Sequence, residues 1–286
     1  MSGNGKIATV MGVDLGATNI RAALVNGENL SPIKSSRINS EGSEQEVLKN
    51  VFDLVDQVID KNVEAIGIGV PSVVDIKTGV VYDVIYIPSW KEVPLKKWME
   101  DRYGVPVYVN NDANCFALGE HYFGKGRGVD SMIGLAIGTG MGAGIIINHK
   151  LYAGPNCGAG EFGMVAYLDK VYEYYCSGQF FGNVYQLDGE KVFEDAKKGD
   201  SRALTLYQEM GMHLGNAINM ILYTYDPELI ILGGSVRHAY EYFQENMWQQ
   251  IRTFAFSRSL SRLQIKISEL QNSGLLGAAA LVYDAQ

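Results

Sequence analysis

Two apolar, β-prone runs, residues 7–13 and 20–25, flank the polar hexapeptide Asp14-Leu15-Gly16-Ala17-Thr18-Asn19. That pattern predicts strand, glycine-containing turn, strand. Helical spacing takes over after Ser43: Val47, Val51, Leu54, Val55 and Val58 share one face, and Ser43 followed by Glu46 has capping-box spacing, so an amphipathic helix is predicted over 44–60. Runs at 65–70 and 106–110 read as buried strands, the second leading through Asn111-Asp112-Ala113-Asn114 into a helix over 115–122. The hairpin pattern returns at 133–137 and 145–148, around Gly138-Thr139-Gly140-Met141-Gly142-Ala143-Gly144. Asp200 is placed to cap a long helix that ends before Asp226-Pro227, and 229–232 is a short strand closed by Gly233-Gly234-Ser235 ahead of another helix. A small-residue helix over 274–283 completes the pattern. Two similar α/β halves, each opening on a hairpin, predict an α/β fold with a cleft between them.

Composition narrows the partners. The 24 Lys and Arg against 32 Asp and Glu leave a net charge of −8, opposite in sign to the footprint that a nucleic-acid backbone requires. The three cysteines, Cys115, Cys157 and Cys176, form no CxxC pair, which argues against a disulfide framework or zinc ribbon and fits a reducing, cytoplasmic setting. No export signal precedes Asp14, and the uncharged stretch 132–147 is short for a bilayer and broken by glycines, so no membrane association is expected. The 33 glycines in 286 residues exceed the average of about 7%, which indicates tight turns and close backbone approach.

The glycines sit where chemistry can use them. The first turn joins Asp14 to backbone amides exposed by Gly16, with Thr18 and Asn19 beside them; amides suit phosphate oxygens and a carboxylate suits Mg²⁺, directly or through water. The same hexapeptide also reads as a plain hairpin turn in which Asp14 only caps. Gly138, Gly140, Gly142 and Gly144 alternate, so backbone can approach a phosphate chain, or simply bend between buried strands. Gly233-Gly234 can let a nucleotide lie against a strand end, or be an ordinary turn. Asp112 stands where a strand meets a helix and reads either as a helix cap or as a carboxylate that accepts a substrate proton. Neither a P-loop spacing nor a GxGxxG opening a helix is present.

Taken in order, these segments resemble the ROK family of sugar kinases and sugar-responsive repressors, within the actin-like ATPase superfamily. The hexapeptide with Ile20-Arg21 is similar to the family's first phosphate motif, 138–144 to its second, and Gly233-Gly234-Ser235-Val236 to its adenosine motif. Gly69-Val70-Pro71, Ile87-Pro88-Ser89-Trp90, Asn110-Asn111-Asp112-Ala113-Asn114 and Ala159-Gly160-Glu161-Phe162-Gly163 follow the family's order. The resemblance implies a duplicated actin-like (ribonuclease H-like) fold, with residues 1–116 plus 274–286 as a smaller domain and 117–273 as a larger one. It implies ATP with Mg²⁺ bound by Asp14, Gly16, Thr18, Asn19, Gly138, Thr139, Gly140, Gly142, Gly233 and Gly234, and a hexose held by Asn111, Asp112, Glu161 and a later glutamate. Asp112 falls on the family's general base. Glu173 is the later glutamate, because Glu173-Tyr174-Tyr175-Cys176-Ser177-Gly178 keeps the family's distance to Ser-Gly; an exposed glutamate at a helix start is the other reading. A homodimer is implied by the same analogy.

Departures from the family pattern shape the expectation. Met164 follows Gly163 where the family has a histidine, and 164–175 contains neither His nor Cys, so no zinc site is expected. Ser72 stands after Pro71 in place of a glycine, and Tyr86 precedes the Pro88 segment in place of an asparagine, which bears on sugar identity. The expected activity is ATP-dependent phosphorylation of a hexose or hexose derivative at the 6-hydroxyl. The alternative is a catalytically altered, sugar-binding or regulatory relative. A DNA-binding repressor is disfavoured, since a motif starting at Asp14 leaves no room upstream for a helix-turn-helix.

Overall fold

The computed structural model describes residues 9–16 and 18–286. Residues 7 and 8 of the first expected strand, and Ala17 of the hexapeptide, lie outside them. The chain runs through β1 (Thr9–Leu15), β2 (Asn19–Asn26), β3 (Asn29–Leu30), β4 (Lys34–Arg37), α1 (Glu44–Val55), β5 (Val63–Val70), β6 (Val73–Val74), β7 (Val81–Tyr82), β8 (Glu92–Val93), α2 (Leu95–Tyr103), β9 (Val107–Asn111) and α3 (Asp112–Phe123). It continues through β10 (Met132–Ile137), β11 (Met141–Ile147), β12 (Lys150–Leu151), β13 (Ala166–Tyr167), β14 (Lys170–Val171), α4 (Tyr172–Cys176), α5 (Phe180–Tyr185), α6 (Gly189–Lys197) and α7 (Ser201–Tyr225). Then follow β15 (Leu229–Gly233), α8 (Tyr240–Ile251), α9 (Ser257–Arg262), β16 (Gln264–Ile267) and α10 (Ser273–Asp284).

These elements form two compact units. The first takes residues up to Gly128, 144–159 and 269–286; the second takes 129–143 and 160–268. The boundaries expected from sequence, at 116/117 and 273/274, fall inside α3 and at the start of α10.

In the first unit the sheet order is β3-β2-β1-β5-β9, with β4 also on β2. β1 and β2 are antiparallel, while β1–β5 and β5–β9 are parallel. Alternate side chains of a sheet covered on both faces are buried throughout, and one face packs Met11, Val13, Ile66 and Ile68 against Val47, Val51 and Leu54 of α1. Ser43 and Glu46 form the expected capping box on α1, which ends at Val55, short of residue 60. On the other face Val10 and Ala65 meet Ala279 and Val282 of α10. That helix lies so close that a Cβ on Gly67 would stand 1.7 Å from the Ala278 carbonyl oxygen, and one on Gly277 1.6 Å from that of Cys115. Here glycine serves close approach rather than an unusual φ.

The second sheet runs β12-β11-β10-β15-β16, with β10–β15 and β15–β16 parallel. Each sheet thus consists of a meander followed by parallel strands in the same order, the signature of an internal duplication. The run 138–144 is less of a turn than its glycines suggest. β11 begins at Met141, so Gly142 and Gly144 are strand residues, and Gly144 is small because its Cβ would meet the Ala117 side chain at 2.5 Å. The long helix expected after Asp200 is α7, 25 residues with the Asp200 carboxylate accepting from Ala203 N. No helix among the described residues is long and apolar enough to cross a membrane.

Candidate active site

Within the first unit, parallel register places Asp14 beside Gly69 and Gly69 beside Asn110, at the carboxyl ends of β1, β5 and β9. Such strand ends are where open α/β sheets bind ligands. Between the strands Gly69 keeps the surface flat: a Cβ there would lie 3.1 Å from Cys115 Sγ and 3.9 Å from Asp112 Cα. The buried Cys115 thiol is pushed well above its ordinary value by desolvation and then by the carboxylates of Asp14 and Asp112. Two acids from distant sequence therefore act on one thiol.

Asn111, rather than Asp112, caps α3. Its Oδ1 accepts from Ala113 N at 2.8 Å and Asn114 N at 3.4 Å, and its Nδ2 donates to the Ser72 carbonyl at 3.4 Å. Asp112 is the first residue inside the helix; its Oδ1 also accepts from Ala113 N, at 2.8 Å, a donor that Asn111 already satisfies. Buried Asn110 locks the corner, accepting from Asn111 N, Asn114 Nδ2 and Cys157 Sγ at 2.8, 2.9 and 3.1 Å.

Asp14 pairs with Arg21, its antiparallel neighbour, at 2.5 Å, and Arg21 also donates to Asn272 Oδ1 at 3.3 Å. The start of α10 lies against the same carboxylate, since a Cβ on Gly274 would be 3.4 Å from Asp14 Oδ2. The hairpin itself is tight: Gly16 N donates to the Asn19 carbonyl at 2.9 Å, and Thr18 and Asn19 are exposed at its tip. With a guanidinium already on Oδ2, the donor set suits Mg²⁺ held through water better than direct ligation. No group of three or more His, Cys, Asp or Glu side chains among the described residues is placed to hold a metal ion.

The second unit brings the remaining expected residues together. The turn between β10 and β11 holds Gly138, Thr139 and Gly140; β15 ends in Gly233, and Gly234 has φ +75° with its missing Cβ only 2.1 Å from the Ile137 carbonyl oxygen. No larger residue fits there. Glu173, the second residue of α4, is half-buried, and its Oε2 accepts from Met141 N at 2.8 Å, so it is not an exposed helix-start glutamate. Partial desolvation, and then the Glu173 carboxylate, push Glu161 above the usual glutamate value. The two expected sugar glutamates are therefore electrostatic neighbours.

Beside the turn lies a cavity of about 690 Å³, whose lining includes Gly138, Thr139, Ser235, Phe181, Phe193 and Tyr207. Its size is that of a small-molecule pocket, and apolar ring faces next to a glycine turn suit a nucleoside with attached phosphates. The aromatic wall and Gln179, also at this cavity, went unread in the sequence. They come from α5, α6 and α7 and the residues before α5, with no shared spacing. Only the fold assembles them.

The chain is similar to known proteins over nearly its whole length. The ROK family model matches residues 10–285. A glucokinase from Thermotoga maritima is 27% identical, covering 96% of this chain and 96% of that protein; a xylose repressor from Caldicellulosiruptor bescii is also 27% identical, covering 98% of this chain and 79% of its own. A ROK family glucokinase from Streptomyces griseus, solved with glucose and AMPPNP, superimposes with a TM-score of 0.78 at 28% identity, covering 96% of this chain and 99% of that one. A family match over nearly the whole length, together with this superposition, makes one conclusion: this chain has the actin-like ATPase fold and belongs to the ROK family.

Proposed function

We propose that the protein is an ATP-dependent kinase of a hexose or hexose derivative, transferring the γ-phosphoryl group to the 6-hydroxyl. The observation that carries this reading is Asp112. Asn111 supplies the helix cap, so capping does not account for a carboxylate one residue further on, just past the end of a parallel strand and near enough to Cys115 to raise its thiol as Asp14 does. The amino end of α3 favours its anionic form. As the sugar oxygen bonds to the γ-phosphorus and the bond to the β-phosphate oxygen breaks, the hydroxyl proton passes to Asp112. Glu161 and Glu173 accept hydrogen bonds from sugar hydroxyls, and Asn111 offers its amide to another. The 138–140 turn, with Gly233 and Gly234, takes the nucleotide, and the first hairpin at Gly16, Thr18 and Asn19 contributes amides and hydroxyl to phosphate oxygens. Mg²⁺, held by Asp14 through water, would neutralise charge on the transferring group.

ADP release from ATP, measured across common hexoses and N-acetylhexosamines, tests the proposal. Turnover with one sugar is expected. A sugar that binds without turnover would favour the second reading, a catalytically altered or regulatory ROK protein, which the similarity to a xylose repressor, over 98% of this chain and 79% of that protein, supports. The family analogy also predicts a homodimer, read by light scattering.

A further inference from the structure

A backbone turn that holds an anion must direct N–H groups at it and keep carbonyl oxygens away, because a carbonyl facing phosphate repels it. In the 138–140 turn every carbonyl is engaged from within the protein. Gly138 O accepts from Gly178 N at 2.7 Å, and Gly140 O accepts from Gly138 N at 2.9 Å. Thr139 O accepts from Gln179 Nε2 at 2.9 Å. None of these bonds uses the N–H of Thr139 or of Gly140. Just beyond, Met141 N donates to Glu173.

In a trans peptide the C=O and the following N–H point in opposite directions. Holding the Gly138 carbonyl therefore aims the Thr139 N–H, and holding the Thr139 carbonyl aims the Gly140 N–H. The first of these is secured by backbone. The second rests on one side chain, at the peptide most able to flip, since glycine after it tolerates either sign of φ. A flip there would exchange a donor for an acceptor in the turn.

We infer that Gln179 is a positioning residue for the phosphate donor: it locks the Thr139–Gly140 peptide plane with the amide presented to phosphate oxygens. This rests on the nucleotide-binding reading above. It also adds to it, since Gln179, although it borders the same cavity, is assigned a role through Thr139 and not a contact to the nucleoside.

The test compares binding of ATP and of adenosine, by titration calorimetry, to the wild-type protein and to Gln179→Met, which keeps the length and loses the donor. Gln179 is exposed, so the variant should fold as the parent does. Loss of one hydrogen bond predicts ATP affinity lower by about 3- to 10-fold, adenosine affinity unchanged, and in turnover a raised KM for ATP with the sugar KM unaltered. Equal weakening of ATP and adenosine would overturn the inference by making Gln179 a direct nucleoside contact, and unchanged ATP affinity would overturn it outright. Wild-type protein that binds no ATP would overturn the nucleotide reading itself, and that result is read before any variant is made.

Discussion

Replacing Asp112 by Asn separates chemistry from architecture at the centre of the proposed mechanism. The substitution keeps the side-chain volume and an Oδ1 acceptor for Ala113 N, now 2.8 Å away. The helix cap belongs to Asn111, so the change in stability should stay within about 0.5 kcal/mol. What is lost is the ability to accept a proton, worth about 10²–10⁴ in rate, or about 2.7–5.4 kcal/mol of transition-state stabilisation at 1.36 kcal/mol per factor of ten. The expected outcome is therefore a variant with near-parental thermal midpoint and sugar affinity but turnover reduced by that factor. Coupled measurement of ADP release at saturating ATP and sugar, beside a sugar titration and a thermal melt, reads all three quantities. Asn111→Ala is the opposite control, because losing the cap should cost about 1 kcal/mol of stability. Asp112→Asn turnover within a few-fold of wild type, in a folded protein, would refute the general-base assignment.

Three further outcomes are expected. Gly67→Ala drives a methyl toward the Ala278 carbonyl, 1.7 Å from its ideal position, and should cost about 3 kcal/mol or prevent folding; a denaturant midpoint close to that of wild type would contradict the packing of α10. Gly140→Ala places Cβ 2.7 Å from Glu173 Oε2 and so disturbs the carboxylate that holds Met141 N, raising the KM for both ATP and sugar, whereas a change in neither would separate Glu173 from the turn. For Glu161, exposed at its surface but partly desolvated, that desolvation and then Glu173 raise the folded-state value. Folding therefore favours its protonated form, and stability falls as pH rises from the unfolded glutamate value near 4.3. Glu161→Gln should accordingly raise the melting temperature at pH 7 and lose that advantage as pH falls toward about 4, while weakening sugar binding. An equal gain at both pH values would show that charge is not the cause.

Much of this molecule is written locally. Alternation and glycine placement mark β1, β2, β10 and β11, the 43–46 capping box marks α1, and Asp200 with Asp226-Pro227 brackets α7, because caps, turns and periodicity act through neighbours three or four residues away. The repeated hairpin likewise marks the duplication. Asp14 and Asp112 are legible as candidates for the same reason, since charge at a predicted strand or helix end needs an explanation, whereas Glu161 and Glu173 are legible only through the family resemblance.

Tertiary structure decided what those residues are available to do. That Asn111 rather than Asp112 caps α3 depends on side-chain direction at one helix end, where Asn and Asp cap about equally well and sequence offers no preference. The run 138–144 ends as a turn at Gly140 because α3 packs on Gly144 and Glu173 on Gly140, neighbours remote in the chain. The cavity wall of Phe181, Phe193 and Tyr207, and the Gln179 bond to Thr139, join segments with no common periodicity, and hydrophobic burial fixes that an aromatic is inside without saying which others it will meet.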